Sequence, residues 1–70
     1  MKQSCYRVME YLSTNGSITA MEAWNEIGVY DLRTRISEIR KAGFPIIGEY
    51  EKGKNRFGED VRFMRYRIGG

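Results

Sequence analysis

The chain has 70 residues, 41% of them hydrophobic and 30% charged, with one proline, a single cysteine and no histidine. That size and balance describe one globular domain in which nearly every apolar residue has a packing duty, and they exclude a disordered tail, an internal disulfide and a Cys/His zinc site. The net charge of +3 is unevenly divided: Lys2 and Arg7 against Glu10, Glu22, Glu26 and Asp31 leave residues 1–31 at −2, whereas ten Lys and Arg against Glu38, Glu49, Glu51, Glu59 and Asp60 leave residues 32–70 at +5, an asymmetry that points to a polyanionic partner.

The N-terminal "MKQSCYRVMEYL" lacks an apolar signal core, and nowhere is there a run of about 18 apolar residues that would span a bilayer, so the expected compartment is a reducing cytoplasm. Cys5, Val8, Met9 and Leu12 fall at i, i+3, i+4 and i+7, the spacing of one helix face, and "TNG" supplies a stop; this predicts a first helix over about 3–14. Ile18 between two hydroxyl residues suits a short extended step into the core. Thr19 with Glu22 three residues later reads as a capping box, in which each side chain takes the other's early backbone N–H.

A second helix over about 20–27 follows, with Ala20, Ala23, Trp24 and Ile27 as its expected buried stripe and Gly28 as its end. The turn "GVY" leads to Asp31, a good N-cap, and Leu32, Ile36 and Ile39 mark a third helix over about 32–42, closed by Gly43. Pro45 then ends helical structure and the period changes from 3.6 to 2. Ile46, Gly48 and Tyr50 alternate with Ile47, Glu49 and Glu51, "EKGKNRFGED" is a charged turn, and Met64, Tyr66 and Ile68 alternate with Phe63, Arg65 and Arg67. A hairpin over about 46–68 with a long basic tip is expected. Neither the hairpin nor the amphipathic helices are stable alone, so they cover each other in one α+β domain spanning 1–70.

With these elements in order, the chain resembles a winged helix-turn-helix domain: helices two and three look like the helix-turn-helix pair, and "GEYEKGKNRFGEDVRFMRYRI" looks like the hairpin and its wing. More narrowly, "SITAMEAWNEIGVYDLRTRISEIRKAGFPI" followed by "NRFGEDVRFMRYRI" is similar to small helix-turn-helix proteins of bacteriophages and prophages. The tight-turn form of the motif carries alanine four residues before the turn glycine, where this chain has Trp24, which implies the looser inter-helix turn of winged helices. The resemblance implies double-stranded DNA as partner, no cofactor and no metal.

On a wheel at about 100° per residue from Leu32, Ser37, Lys41 and Thr34 lie opposite the buried stripe at about 140°, 180° and 200°, with Arg33 and Arg40 on one shoulder near 100° and 80°. Arginine forks onto guanine O6/N7 and hydroxyls reach base edges or phosphates, so this face suits a major groove. The expected contacts are therefore Arg33, Thr34, Ser37 and Lys41 on bases, with Arg40 on the DNA backbone. Lys52, Lys54, Asn55 and Arg56 are expected on a wing loop that engages phosphates or the minor groove.

Arg35, near 300°, is assigned to the scaffold, paired with Glu22 or Glu26 of helix two, and Glu38 to an i,i+3 pair with Arg35 or Lys41. Phe57 is expected to fold back on the strands, and Arg62, Arg65 and Arg67, which alternate between faces, to pair in part with Glu49 and Glu51. With no histidine, no phosphate-binding glycine motif and no room for a pocket beside the core, an enzyme is not expected.

The expected function is a sequence-specific or architectural DNA-binding protein, a phage-type transcriptional regulator or excision factor in a bacterial host, working as a dimer, a cooperative array or with a partner. The alternative is a winged-helix module that binds a host protein through Tyr30, Phe57 or Phe63. An RNA binder fits less well, because no interleaved aromatic platform lies on the strands.

Overall fold

A computed structural model of the chain describes residues 2–69; Met1 and Gly70, the two ends of the expected domain, lie outside the described residues. The elements in chain order are α1 (Gln3–Asn15), β1 (Ile18–Thr19), α2 (Ala20–Ile27), α3 (Leu32–Lys41), β2 (Ile46–Lys54) and β3 (Asp60–Ile68). They form three helices on a three-stranded antiparallel sheet of order β1-β3-β2, an α+β arrangement.

Local chemistry accounts for the helix ends. Thr19 Oγ1 accepts the Glu22 N–H at 3.2 Å and Glu22 Oε1 accepts the Thr19 N–H at 2.9 Å, completing the capping box that starts α2. A cap of this kind contributes about 1 kcal/mol. Gly28 ends α2 at φ 66°, in the left-handed region where a side chain would be strained, and the Val29 N–H reaches back to the Ala23 carbonyl at 2.9 Å. That bond folds Val29 inward.

The core is built from Cys5, Val8 and Leu12 of α1, Ile18 of β1, Ala23 and Val29, Leu32, Ile36 and Ile39 of α3, and Ile46 and Tyr66 of the hairpin. Every predicted apolar position on α3 and all but one on α1 is buried. Helix α2 differs. Trp24, expected in the core, is 57% exposed and meets Tyr30 edge to face at 5.6 Å, and Ala20 is exposed too. An eight-residue helix turns only Ala23 and Ile27 inward, and Val29, just beyond its end, joins the core where Trp24 does not.

Arg35 belongs to the scaffold and makes the expected i,i+3 pair with Glu38, but its partner on another helix is on the other side from the one expected. It donates to Glu38 Oε1 at 3.0 Å and to Ser4 Oγ of α1 at 3.2 Å, and neither Glu22 nor Glu26 is reached. At its wheel position the stem faces α1, not α2. The Cys5 thiol donates to Glu38 Oε2 at 3.1 Å in the same cluster.

Burial, reinforced by the Glu38 carboxylate, pushes the Cys5 thiol above its ordinary pKa, so little thiolate exists at neutral pH. A thiol reagent added to native protein is expected to react roughly a thousandfold more slowly than with the urea-unfolded chain, the population ratio for about 4 kcal/mol of stability. Equal rates in the two states would show that Cys5 is accessible in the fold.

Candidate nucleic-acid interface

Asp31 caps α3 and so aims its exposed side: Asp31 Oδ1 accepts the Thr34 N–H at 3.3 Å and Oδ2 accepts the Thr34 hydroxyl at 2.6 Å. These bonds, the hydroxyl first, hold the Asp31 carboxyl below the usual carboxylate range. Leu32, Ile36 and Ile39 take the inward stripe, which leaves Arg33, Thr34, Ser37, Arg40 and Lys41 all exposed. Among the described residues Arg33, Arg40 and Lys41 have no carboxylate within salt-bridge distance.

The shoulder of α3 that bears Arg33 and Arg40 faces the hairpin. Arg40 donates through Nε and Nη2 to the Ile46 carbonyl at 3.1 and 2.9 Å and holds its guanidinium 5.9 Å from the Tyr66 ring centre. Three of its five N–H groups remain for another acceptor. Arg33 borders a groove whose other wall is Tyr50 and Met64 of the hairpin.

The hairpin register decides which wing cations look the same way. Tyr66 pairs with Gly48, Met64 with Tyr50 and Arg62 with Lys52, and residues two apart share a face, so Lys52 and Arg62 stand on the face of the sheet that Tyr66 presents to the helices. Arg62 lies 5.5 Å over the Tyr50 ring. On the opposite face Arg65 is bound to Glu51 and Arg67 to Glu49, as the sequence led one to expect of these arginines, and the charges cancel.

Arg62 is the cation that sequence reasoning missed. Like charges directly opposite on adjacent strands destabilise a sheet, so an uncompensated Lys52–Arg62 pair has the character of a cationic surface suited to a polyanion. The signal lay in the register, which is set only when the hairpin closes.

The wing tip differs from the expected loop. The strands run on to Lys54 and resume at Asp60, so Lys52 and Lys54 are strand residues and the turn is confined to residues 55–59. Lys54 Nζ is paired with Asp60 at 2.8 Å. Asn55 Oδ1 accepts the N–H groups of Phe57 and Glu59 and its amide donates to Glu59, because a turn this short needs a side chain to satisfy its inward backbone donors. Arg56 is exposed, and Phe57, expected to fold back, is 78% exposed.

With Arg35, Lys54, Arg65 and Arg67 paired to acids, the positive excess of the C-terminal half is carried by Arg33, Arg40, Lys41, Lys52, Arg56 and Arg62. No described helix is long and apolar enough to cross a membrane, and among the described residues no His/Cys/Asp/Glu group is placed to hold a metal ion. A family model described as a winged helix-turn-helix domain matches residues 3–68. No curated protein matches the chain.

Proposed function

The chain belongs to the winged helix-turn-helix family, and from that premise we propose that it binds double-stranded DNA with α3 in the major groove and the hairpin wing on flanking phosphates or the minor groove. A winged helix-turn-helix domain is typically a DNA-binding fold without enzymatic activity. The observation that carries the reading is the common side shared by the Arg33–Arg40 shoulder of α3 and the Lys52–Arg62 pair of the wing, while the other face of the sheet is charge-neutralised.

In this reading Arg33, Ser37 and Lys41 donate to base edges and Thr34 lies beside them. Arg40, steadied by Ile46, takes a phosphate. Lys52, Arg56 and Arg62 grip the backbone beyond the recognition helix, with Lys54 and Asn55 shaping the tip that presents them. A monomer with this few contacts binds weakly, so specific use calls for a dimer, a cooperative array or a partner protein. A phage-type regulator or excision factor, acting in the cytoplasm of a bacterial host with residues 1–70 as one domain, fits this chemistry; its support is the likeness of the "RTRISEIRKAG" and "RYRI" segments to small phage proteins.

Fluorescence anisotropy of a labelled duplex at several salt concentrations tests the proposal. Affinity is expected to fall with salt, with a log–log slope that drops by about 0.9 for each phosphate contact removed. Lys52→Ala and Arg56→Ala should each reduce the slope by that amount on any sequence, and Arg33→Ala with Lys41→Ala should weaken binding further. Absence of binding at low salt, or indifference to all four substitutions, would leave the second reading: a module that binds a host protein through the exposed Trp24–Tyr30 pair and Phe57.

A further inference from the structure

The wing ends in an aromatic ring that the fold does not use. Phe57 is 78% exposed, stands outside the hydrophobic cluster, and meets no other ring or arginine among the described residues. A chain of 70 residues has little apolar surface to spare, so a ring left in water is a cost to stability. The exposure is not that of a loose loop. Asn55 Oδ1 accepts the N–H groups of Phe57 at 2.9 Å and Glu59 at 3.1 Å, the Gly58 N–H donates to the Asn55 carbonyl at 3.0 Å, and the Asn55 N–H donates to the Glu59 carbonyl at 3.1 Å. The backbone on both sides of the ring is held, and Phe57 is presented outward from a braced turn.

The neighbours of the ring say what it would meet. Arg56 is exposed, and among the described residues no carboxylate lies within salt-bridge distance of it. Glu59, the one acid of the turn, is turned to the Asn55 amide at 3.3 Å, and Asp60 is occupied by Lys54 at 2.8 Å. Gly58 follows the ring with no side chain and open space beside it. A protein-binding anchor sits within other contacts that exclude water. Phe57 has no such surround, because it is the only apolar side chain between Asn55 and Glu59. A lone flat ring beside an unpaired cation, at the end of the hairpin that carries the Lys52–Arg62 pair, matches stacked bases bordered by phosphates instead.

Resting on the proposal that the wing lies on DNA, we infer that Phe57 is a wedge that enters the minor groove and unstacks one base step, with Arg56 on the phosphate bordering it, so that the protein bends its duplex. Apolar side chains inserted in this way kink DNA by about 20–90°. The step that opens most easily is the one chosen, and pyrimidine–purine steps such as TA are the most flexible. The wing thereby contributes to site choice without a hydrogen bond to any base.

Two readouts on the whole chain test this. Ligase closure of a linear duplex of about 100 base pairs, shorter than the persistence length of about 150, reports bending, and wild type is expected to raise the yield of circles by about tenfold or more. A short duplex with 2-aminopurine at its single TA step reports unstacking, and its emission should rise on binding. Phe57→Ala removes an exposed side chain and no charge, so it is expected to melt as wild type does and to keep the salt slope of binding, while circle yield and emission stay at the level of free duplex. Phe57→Leu keeps an apolar wedge and should keep most of both signals. Equal signals from wild type and Phe57→Ala overturn the inference alone. So does a wild-type complex that leaves either signal at the level of free duplex, which would return the ring to a protein partner. Absence of duplex binding at low salt overturns the DNA reading and the inference with it.

Discussion

Ile39→Ala is expected to bring the protein to the edge of unfolding. Ile39 sits on α3 with no exposed surface, inside the cluster where α1, α3 and the hairpin meet. Truncating a buried isoleucine to alanine costs about 2–5 kcal/mol, the lost transfer energy of the removed carbons plus the cavity left behind. A domain of this length has roughly 4–10 kcal/mol in total. With a urea dependence of about 1 kcal/mol/M, the midpoint followed by circular dichroism should fall by 2 M or more. Phe57→Ala supplies the contrast: its ring is exposed at the wing tip, and the midpoint should move by less than about 0.5 kcal/mol equivalent. Equal effects at the two positions would contradict the packing described.

Arg65→Ala is expected to loosen the wing from the helices. Its guanidinium joins three separate segments: Nε donates to Glu51 of β2 at 2.7 Å, and Nη1 to Ser17 Oγ at 3.1 Å and to Glu22 of α2 at 3.3 Å. Removing it leaves two carboxylates without their shared cation. The side chain is about one third exposed, so the loss is moderated by water, and about 1–2 kcal/mol is expected. Amide exchange along β2 near Glu51 should quicken while exchange within α1 stays unchanged. Arg65→Lys keeps the charge but cannot reach three acceptors with one planar fork, and should fall between wild type and alanine. If Arg65→Ala leaves both the midpoint and the β2 exchange rates unaltered, the three-way contact is not what holds the wing in place.

Different physics governs the features that could be read in advance and those that could not. The capping box at Thr19 and Glu22, the glycine stop at Gly28, the Asp31 cap and the Leu32–Ile36–Ile39 stripe all involve residues within one or two turns of each other. Their geometry follows from the helix repeat itself. The winged helix-turn-helix order of elements was legible for the same reason: periodicity and turn residues mark each element locally, and few packings cover three short amphipathic helices and a hairpin.

Charge pairing was less legible. That Arg35 would be a scaffold residue follows from its place beside the apolar stripe, and its pair with Glu38 from the i,i+3 spacing, yet its contact to another helix, Ser4 rather than Glu22 or Glu26, depends on which helix lies against that edge. Lys54 and Asn55 read as free wing residues, but one is paired and the other is spent on its turn. Composition cannot distinguish a cation that is free from one already neutralised across a strand.

What the chain specified by local pattern, then, is the set of elements, their ends and the basic character of its second half. The tertiary structure alone decided that Val29 and not Trp24 enters the core, that Lys52 and Arg62 face the same way as Arg40 over Tyr66, and that the arginines of the opposite sheet face are cancelled. Each of those outcomes depends on residues distant in sequence being brought within a few ångströms, through the packing of α2 against its neighbours or the closing of the hairpin into one register. Local periodicity carries no information about such distances, because the energy that selects them exists only once the parts have met.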